Sequence, residues 1–248
     1  MRASSRTRAR PAPPRTELRL LDGFELVCAE SSVQLPLSAQ RVLVFVALHD
    51  HPLRRPYVAG SLWLDSPEER AFANLRSALW RLHRSGVRLV QSRGWQLSLE
   101  RSVVIDLRQA EAFARRLVDG TGAAVDKVQT SLLRRDLLPD WYDDWIILER
   151  ERYRQLRLRA LEALCERLTQ AGRLDSAIDV GLAAVSSEPL RESSHRAVIR
   201  AHGADGNLAE AIRQYHLCRR LLKEQLGIEP SEQMESLMHS LHAAETAR

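Results

Sequence analysis

Lysine is almost missing from this 248-residue chain: Lys127 and Lys223 are the only two among 37 basic residues, and the rest are arginine. So lopsided a usage looks like the imprint of a GC-rich genome, so the arginine count alone says little and position must decide. Cysteine is scarce too. Cys28, Cys165 and Cys218 are odd in number, far apart and set in apolar stretches, which excludes a disulfide framework and fits reduced, buried thiols of a cytoplasmic protein. No apolar run is long enough to cross a bilayer, so no membrane partner is expected.

Catalytic signatures are also missing. The chain has no Gly-x-x-x-x-Gly-Lys-Ser/Thr loop, no His-Glu-x-x-His, no Gly-x-Ser-x-Gly and no Gly-x-Gly-x-x-Gly. The pairs His49/His51 and His239/His242 have no third ligand adjacent in sequence, so a surface role is expected and no metal site. The expectation is a protein that is not an enzyme and needs no cofactor.

The net charge of +5 is unevenly spread. Residues 1–16 carry Arg2, Arg6, Arg8, Arg10 and Arg15 with no acid, together with Pro11, Pro13 and Pro14, and read as a disordered basic arm. An import presequence would need an amphipathic apolar face, which this segment lacks. Residues 17–104 hold eleven basic and nine acidic side chains, and residues 105–248 hold twenty-one and twenty-three. The basic end comes first.

Short strand-like runs follow at Leu18–Leu21, Phe24–Val27 and Val33–Leu35, with Asp22-Gly23 and Ser31-Ser32 as turns. A helix capped by Ser38 is expected to bury Val42, Leu43, Phe45, Val46 and Leu48, and His51-Pro52 stops it. A second short helix spans about Tyr57 to Trp63. A third runs from Pro67, as its first helical residue, to about Ser85. At 100° per residue, Phe72, Leu75, Leu79 and Leu82 share a core side. Arg70, Asn74, Ser77, Arg81 and Arg84 fall within about 80° of one another on the other side, with Trp80 beside them and placed against the following hairpin. Two strands, Val87–Val90 and Trp95–Leu99, flank Ser92-Arg93-Gly94. Three helices, the last basic outside, then a hairpin with arginine at its tip, is the order of a winged helix-turn-helix. The predicted DNA-binding residues are Arg70, Asn74, Ser77, Arg81, Arg84 and Arg93. Arginine forks can take guanine bidentately and asparagine can do so for adenine. The alternative, a solvated polar face and a plain exposed turn, stays open.

After Asp106 the chain reads as helical almost throughout, with one helix from Arg108 to Val118 and a long one from Leu148 to Leu168. Gly-x-Leu-x-x-Ala-Ile occurs at Gly172–Ile178 and again at Gly206–Ile212, 34 residues apart, which is the period of tetratricopeptide-type helical hairpins. The loop Leu137–Trp145 carries Trp141, Tyr142 and Trp145, either a partner pocket or packing. The fold class is therefore an α+β winged helix-turn-helix over 17–104, followed by an all-α tetratricopeptide-like domain over 105–248.

At this point the chain resembles a known family. LLPDWYDDWIILERERYRQLRLRALEAL (Leu137–Leu164) and LKEQLGIEPSEQM (Leu222–Met234) are similar to the two ends of the bacterial transcriptional activator domain. Residues 18–104 resemble the winged helix of response-regulator type, with Leu62-Trp63, Arg81-Leu82 and Gly94-Trp95-Gln96-Leu97 matching its pattern. The match is weaker at Leu75–Trp80. The order and size resemble small regulators of the antibiotic regulatory protein (SARP) family. That resemblance implies sequence-specific binding of double-stranded promoter DNA, often as side-by-side copies on direct repeats or as a homodimer on DNA. It also implies recruitment of RNA polymerase and activation of specialised-metabolite gene clusters. Neither a nucleotide switch nor a receiver-like domain ahead of Leu18 is expected. A protein-binding scaffold with a degenerate DNA-binding domain, a repressor, and a helical enzyme built on the Trp141–Trp145 loop remain as rivals.

Overall fold

The computed structural model describes residues 15–121 and 127–246, which divide into two compact units, one ending at Asp106 and the other beginning at Leu107. The arm expected over 1–16 lies outside the described residues, apart from Arg15 and Thr16.

In the first unit the strands are β1 (Thr16–Arg19), β2 (Glu25–Cys28) and β3 (Ser31–Ser32). Helix α1 (Leu37–Ala47), strand β4 (Leu53–Arg54), helix α2 (Arg55–Leu62) and helix α3 (Glu68–Arg84) follow. Strands β5 (Val90–Arg93), β6 (Gln96–Leu99) and β7 (Val103–Ile105) complete it. One sheet has the order β3-β2-β1-β7, with β7 parallel to β1; the other has the order β4-β6-β5. The Asp106 carboxylate fastens the first sheet, accepting from the backbone amides of Leu20 (2.9 Å) and Leu21 (3.1 Å).

Several sequence expectations need correction. Val33–Leu35 is not a strand: β3 is Ser31–Ser32, the pair expected to turn. The turn lies one step earlier, at Ala29 (φ 48°) and Glu30 (φ 66°), where two consecutive left-handed residues match the right-handed strand twist without the usual Asn-Gly. Helix α1 starts at Leu37 with Pro36 as N-cap, and Ser38 makes no cap bond. Pro67 is the N-cap of α3 instead of its first residue. The hairpin register is Arg93↔Gln96, so the turn is Gly94-Trp95 and Arg93 closes β5. Gly94 supplies the positive φ, +58°, that such a two-residue turn needs.

The second unit is helical: α4 (Asp106–Val118, shared with the boundary), α5 (Lys127–Leu132), α6 (Asp144–Gln170), α7 (Leu174–Ser187), α8 (Glu192–Ala204), α9 (Leu208–Leu226) and α10 (Glu232–Thr246). Each copy of the repeated motif forms the turn between two helices and the opening of the second. Gly172 (φ +70°) and Gly206 (φ +73°) end α6 and α8 in the left-handed conformation that an L side chain resists. Leu174 and Leu208 then open α7 and α9, and Ala177 and Ala211 are fully buried. Helices α7 and α8 approach so closely at Gly181 that an added Cβ would lie 2.7 Å from Val198 Cγ2 and 3.1 Å from Cys165 Sγ. Helix α6 begins at Asp144, four residues before the expected Leu148.

One face of α6 holds the preceding loop. The Arg150 guanidinium donates to the carbonyls of Leu137 (3.0 Å), Leu138 and Trp141 (2.6 Å). Tyr153 OH donates to Leu132 O (3.0 Å), and buried Arg157 donates to Arg135 O and pairs with Asp136. Positions 150, 153 and 157 share a helical stripe. Trp141 and Trp145 meet edge to face at 6.1 Å, whereas Tyr142 is 87% exposed.

His195 on α8 is fully buried. Its Nε2–H donates to Pro189 O (2.9 Å), so Nδ1 is the acceptor for Gln214 Nε2 (2.8 Å). Burial pushes its pKa below the ordinary 6.5. The unfolded chain therefore takes up a proton first as pH falls below 6.5, and stability present above that value is lost as pH drops through the folded one. Urea midpoints should be lower at about pH 5.5 than at about pH 7.5, and His195→Leu should remove most of that difference. A pH response unchanged in the variant would assign it to other groups.

Candidate nucleic-acid interface

Helix α3 buries Ala71, Leu75, Ala78 and Leu82, while Phe72 and Leu79 are only half-buried. The alanines of this stripe shift the core side by about 50° from the expected one at 100° per residue. The outward stripe accordingly runs through Ala73, Ser77, Trp80 and Arg84. Of the predicted residues, Arg70, Ser77, Arg81 and Arg84 are exposed on α3, Asn74 is half-buried, and Arg93 is exposed at the end of β5. Arg81 lies to the side facing α1, where its Nη1 donates to Ser38 Oγ (2.9 Å). Trp80, expected against the hairpin, stands 57% exposed four residues from the C-terminal end of α3, with the Arg84 guanidinium 4.8 Å above its ring.

Sequence reasoning missed Arg76 and Arg88, both exposed, and Trp95, which is 69% exposed at the hairpin turn. Between α3 and the hairpin lies a groove lined by Arg55, His83, Arg88 and Arg93, with one acid, Glu100, and with Leu79 and Leu82 among its apolar residues. Arg55 Nη2 donates to Ser92 Oγ, joining α2 to β5. Glu68 and Glu69 put negative charge at the N-terminal end of α3, favourable to its dipole. Cationic character therefore begins at Arg70.

Pairing differs between the units in degree: Arg15 and Arg19 of the first unit are ion-paired, and among the described residues exposed Arg159, Arg173 and Arg220 of the helical unit have no carboxylate partner. In the helical unit, glutamates neutralise Arg115, Arg154, Arg191, Arg196, Arg200, Arg213 and Arg219. Among the described residues, no carboxylate pairs with Arg54, Arg70, Arg76, Arg81, Arg84, Arg88 or Arg93. Seven exposed, uncompensated guanidinium groups in one unit suit a polyanion, with forks that match phosphate or guanine.

Both histidine pairs contain a member bonded to a nearby backbone carbonyl. His49 Nδ1–H donates to Phe45 O (2.7 Å) and His242 Nδ1–H to Met238 O (2.9 Å). No helix among the described residues is long and apolar enough to cross a membrane.

Comparison with known proteins places these features. Regulatory protein AfsR of Streptomyces griseus is 28% identical over 207 residues, covering 77% of this chain and 21% of that protein. AfsR of Streptomyces coelicolor is 27% identical over 199 residues, covering 75% and 20%. The chain thus spans about a fifth of the length of these curated relatives. In fold it resembles Mycobacterium tuberculosis EmbR, solved in complex with a low-affinity phosphopeptide, at a TM-score of 0.69 and 17% identity, covering 93% of this chain and 66% of that one. The bacterial transcriptional activator domain matches residues 106–242, more than half of the sequence. This chain belongs to the bacterial transcriptional activator domain family.

Proposed function

We propose that the first unit is a winged helix-turn-helix that reads promoter DNA, with α3 in the major groove and the β5–β6 hairpin on the adjacent backbone or minor groove. The observation that carries this reading is the set of uncompensated guanidinium groups on α3 and the hairpin, in a protein whose other unit neutralises so many of its arginines. Arg70, Asn74, Ser77, Arg81 and Arg84 supply the base and phosphate contacts on α3, and Arg93 supplies one from the hairpin. The tetratricopeptide-like helical unit is the effector half, contacting RNA polymerase or a second copy on direct repeats. The protein acts in the cytoplasm as an activator of a specialised-metabolite gene cluster, without catalytic activity of its own.

Arg81→Ala tests the reading face. Among the described residues its one side-chain hydrogen bond is an exposed one to Ser38, so the thermal transition should stay near that of the parent. Affinity for a duplex enriched by the protein from a random library should fall about tenfold or more, the loss of one bidentate contact. Unchanged affinity in a gel shift with competitor would remove Arg81 from the interface. Failure of the parent protein to enrich any duplex would favour a protein-binding scaffold instead.

A further inference from the structure

We propose that Trp80 reads a thymine through its C5-methyl group. Among the described residues it is the one large hydrophobic on α3 that stands exposed, at 57%, and it sits on the outward stripe. The residues before it on that stripe, Ala73 and Ser77, are small, so the indole projects beyond them. The Arg84 guanidinium covers one ring face at 4.8 Å, which holds the ring upright and leaves its other face and edge to whatever α3 meets. This inference rests on α3 occupying the major groove.

The chemistry of that groove narrows the choice. Its floor presents nitrogen and oxygen acceptors, amino donors, and one apolar group, the thymine methyl. Indole carbon pressed against a guanine or cytosine edge would strip water from polar atoms and return no hydrogen bond. Against a thymine methyl the same contact buries apolar surface on both sides. Trp80 therefore adds discrimination that the arginines do not provide, and it does so within Leu75–Trp80, the stretch where the family pattern fits least well.

The test uses the full chain and the duplex it enriches from a random library, with each thymine replaced singly by deoxyuridine. That change removes the methyl and keeps the pairing and O4. One or two replacements should each weaken binding by the parent about fourfold, the equivalent of one buried methyl. Trp80→Ala should be indifferent to those same replacements, while Trp80→Phe keeps part of the response; the exposed position leaves the fold intact in both. The proposal is overturned if no deoxyuridine weakens the parent on a duplex it binds specifically, or if Trp80→Ala responds as the parent does. Absence of specific binding to any duplex would overturn the DNA reading itself, and this inference with it.

Discussion

Raising monovalent salt from about 50 to about 200 mM should lower the affinity of this protein for its selected duplex about a thousandfold. The size of the effect follows from the uncompensated arginines. Each phosphate neutralised on B-DNA releases condensed counterions and contributes about −0.9 to the slope of log affinity against log salt. Of the seven exposed groups at positions 54, 70, 76, 81, 84, 88 and 93, about six engaged phosphates give a slope near −5, hence roughly three decades over a fourfold change in salt. Replacing Arg88 or Arg93 by alanine should each flatten the slope by about one unit without altering which duplex is preferred, because phosphate contacts carry no base identity. Fluorescence anisotropy at four or five salt concentrations measures this directly. A slope shallower than about −2 would mean that the face of α3 and the hairpin does not track a nucleic-acid backbone.

The arginines also show what the sequence could and could not disclose. In a chain with two lysines, a basic count carries no message, and pairing emerges only in three dimensions. Arg191 meets Glu162 from 29 residues away and Arg154 meets Glu188 across 34, separations invisible to helical spacing. Arg150 and Arg157 look like surface residues of an amphipathic helix, yet both are spent on carbonyls of the loop before α6. The repeat, by contrast, was legible because its chemistry is local. A left-handed glycine, a leucine that opens the next helix and a buried alanine need only their neighbours in sequence to declare a tight helical turn.

Helix α3 lies between these cases. Its ends follow from the acids of its first turn and from Gly86, and they are found to within a residue. Its outward face was misjudged because hydrophobic periodicity weights Phe72 and Leu79 above Ala71 and Ala78, whereas the tightest packing selects the small residues. That rotation brings Trp80 from the side of the helix to its exposed face. The parallel pairing of β1 with β7 was equally hidden, since Leu18 meets Ile105 and no local pattern announces a partner so far along the chain.

Replacing Glu162 by alanine should cost about 3 kcal/mol of stability and lower the melting temperature by about 10 °C. This carboxylate on α6 lies against the start of α8 with a side chain only 15% exposed. It accepts from Arg191 Nε (2.7 Å) and Nη2 (3.3 Å), and from the hydroxyls of Ser193 and Ser194 (2.7 Å each). Alanine would leave one largely buried cation and two hydroxyls without their acceptor, which costs far more than losing an exposed ion pair. Desolvation by itself raises the carboxyl pKa, but the bonds from Arg191, Ser193 and Ser194 outweigh it and hold the group below its ordinary 4.5. The unfolded chain consequently binds a proton first as pH falls, so the contribution of Glu162 is complete above 4.5 and is lost as pH descends through the folded value. Glu162→Gln keeps the shape and gives up the charge. Its deficit against the parent should be largest near neutral pH and shrink below 4.5. Urea unfolding followed by helical circular dichroism at several pH values measures both effects. A Glu162→Ala deficit under about 1 kcal/mol, the range of a solvent-screened pair, would show that the junction of α6 with α8 is held by the apolar contacts around Gly181 and Cys165.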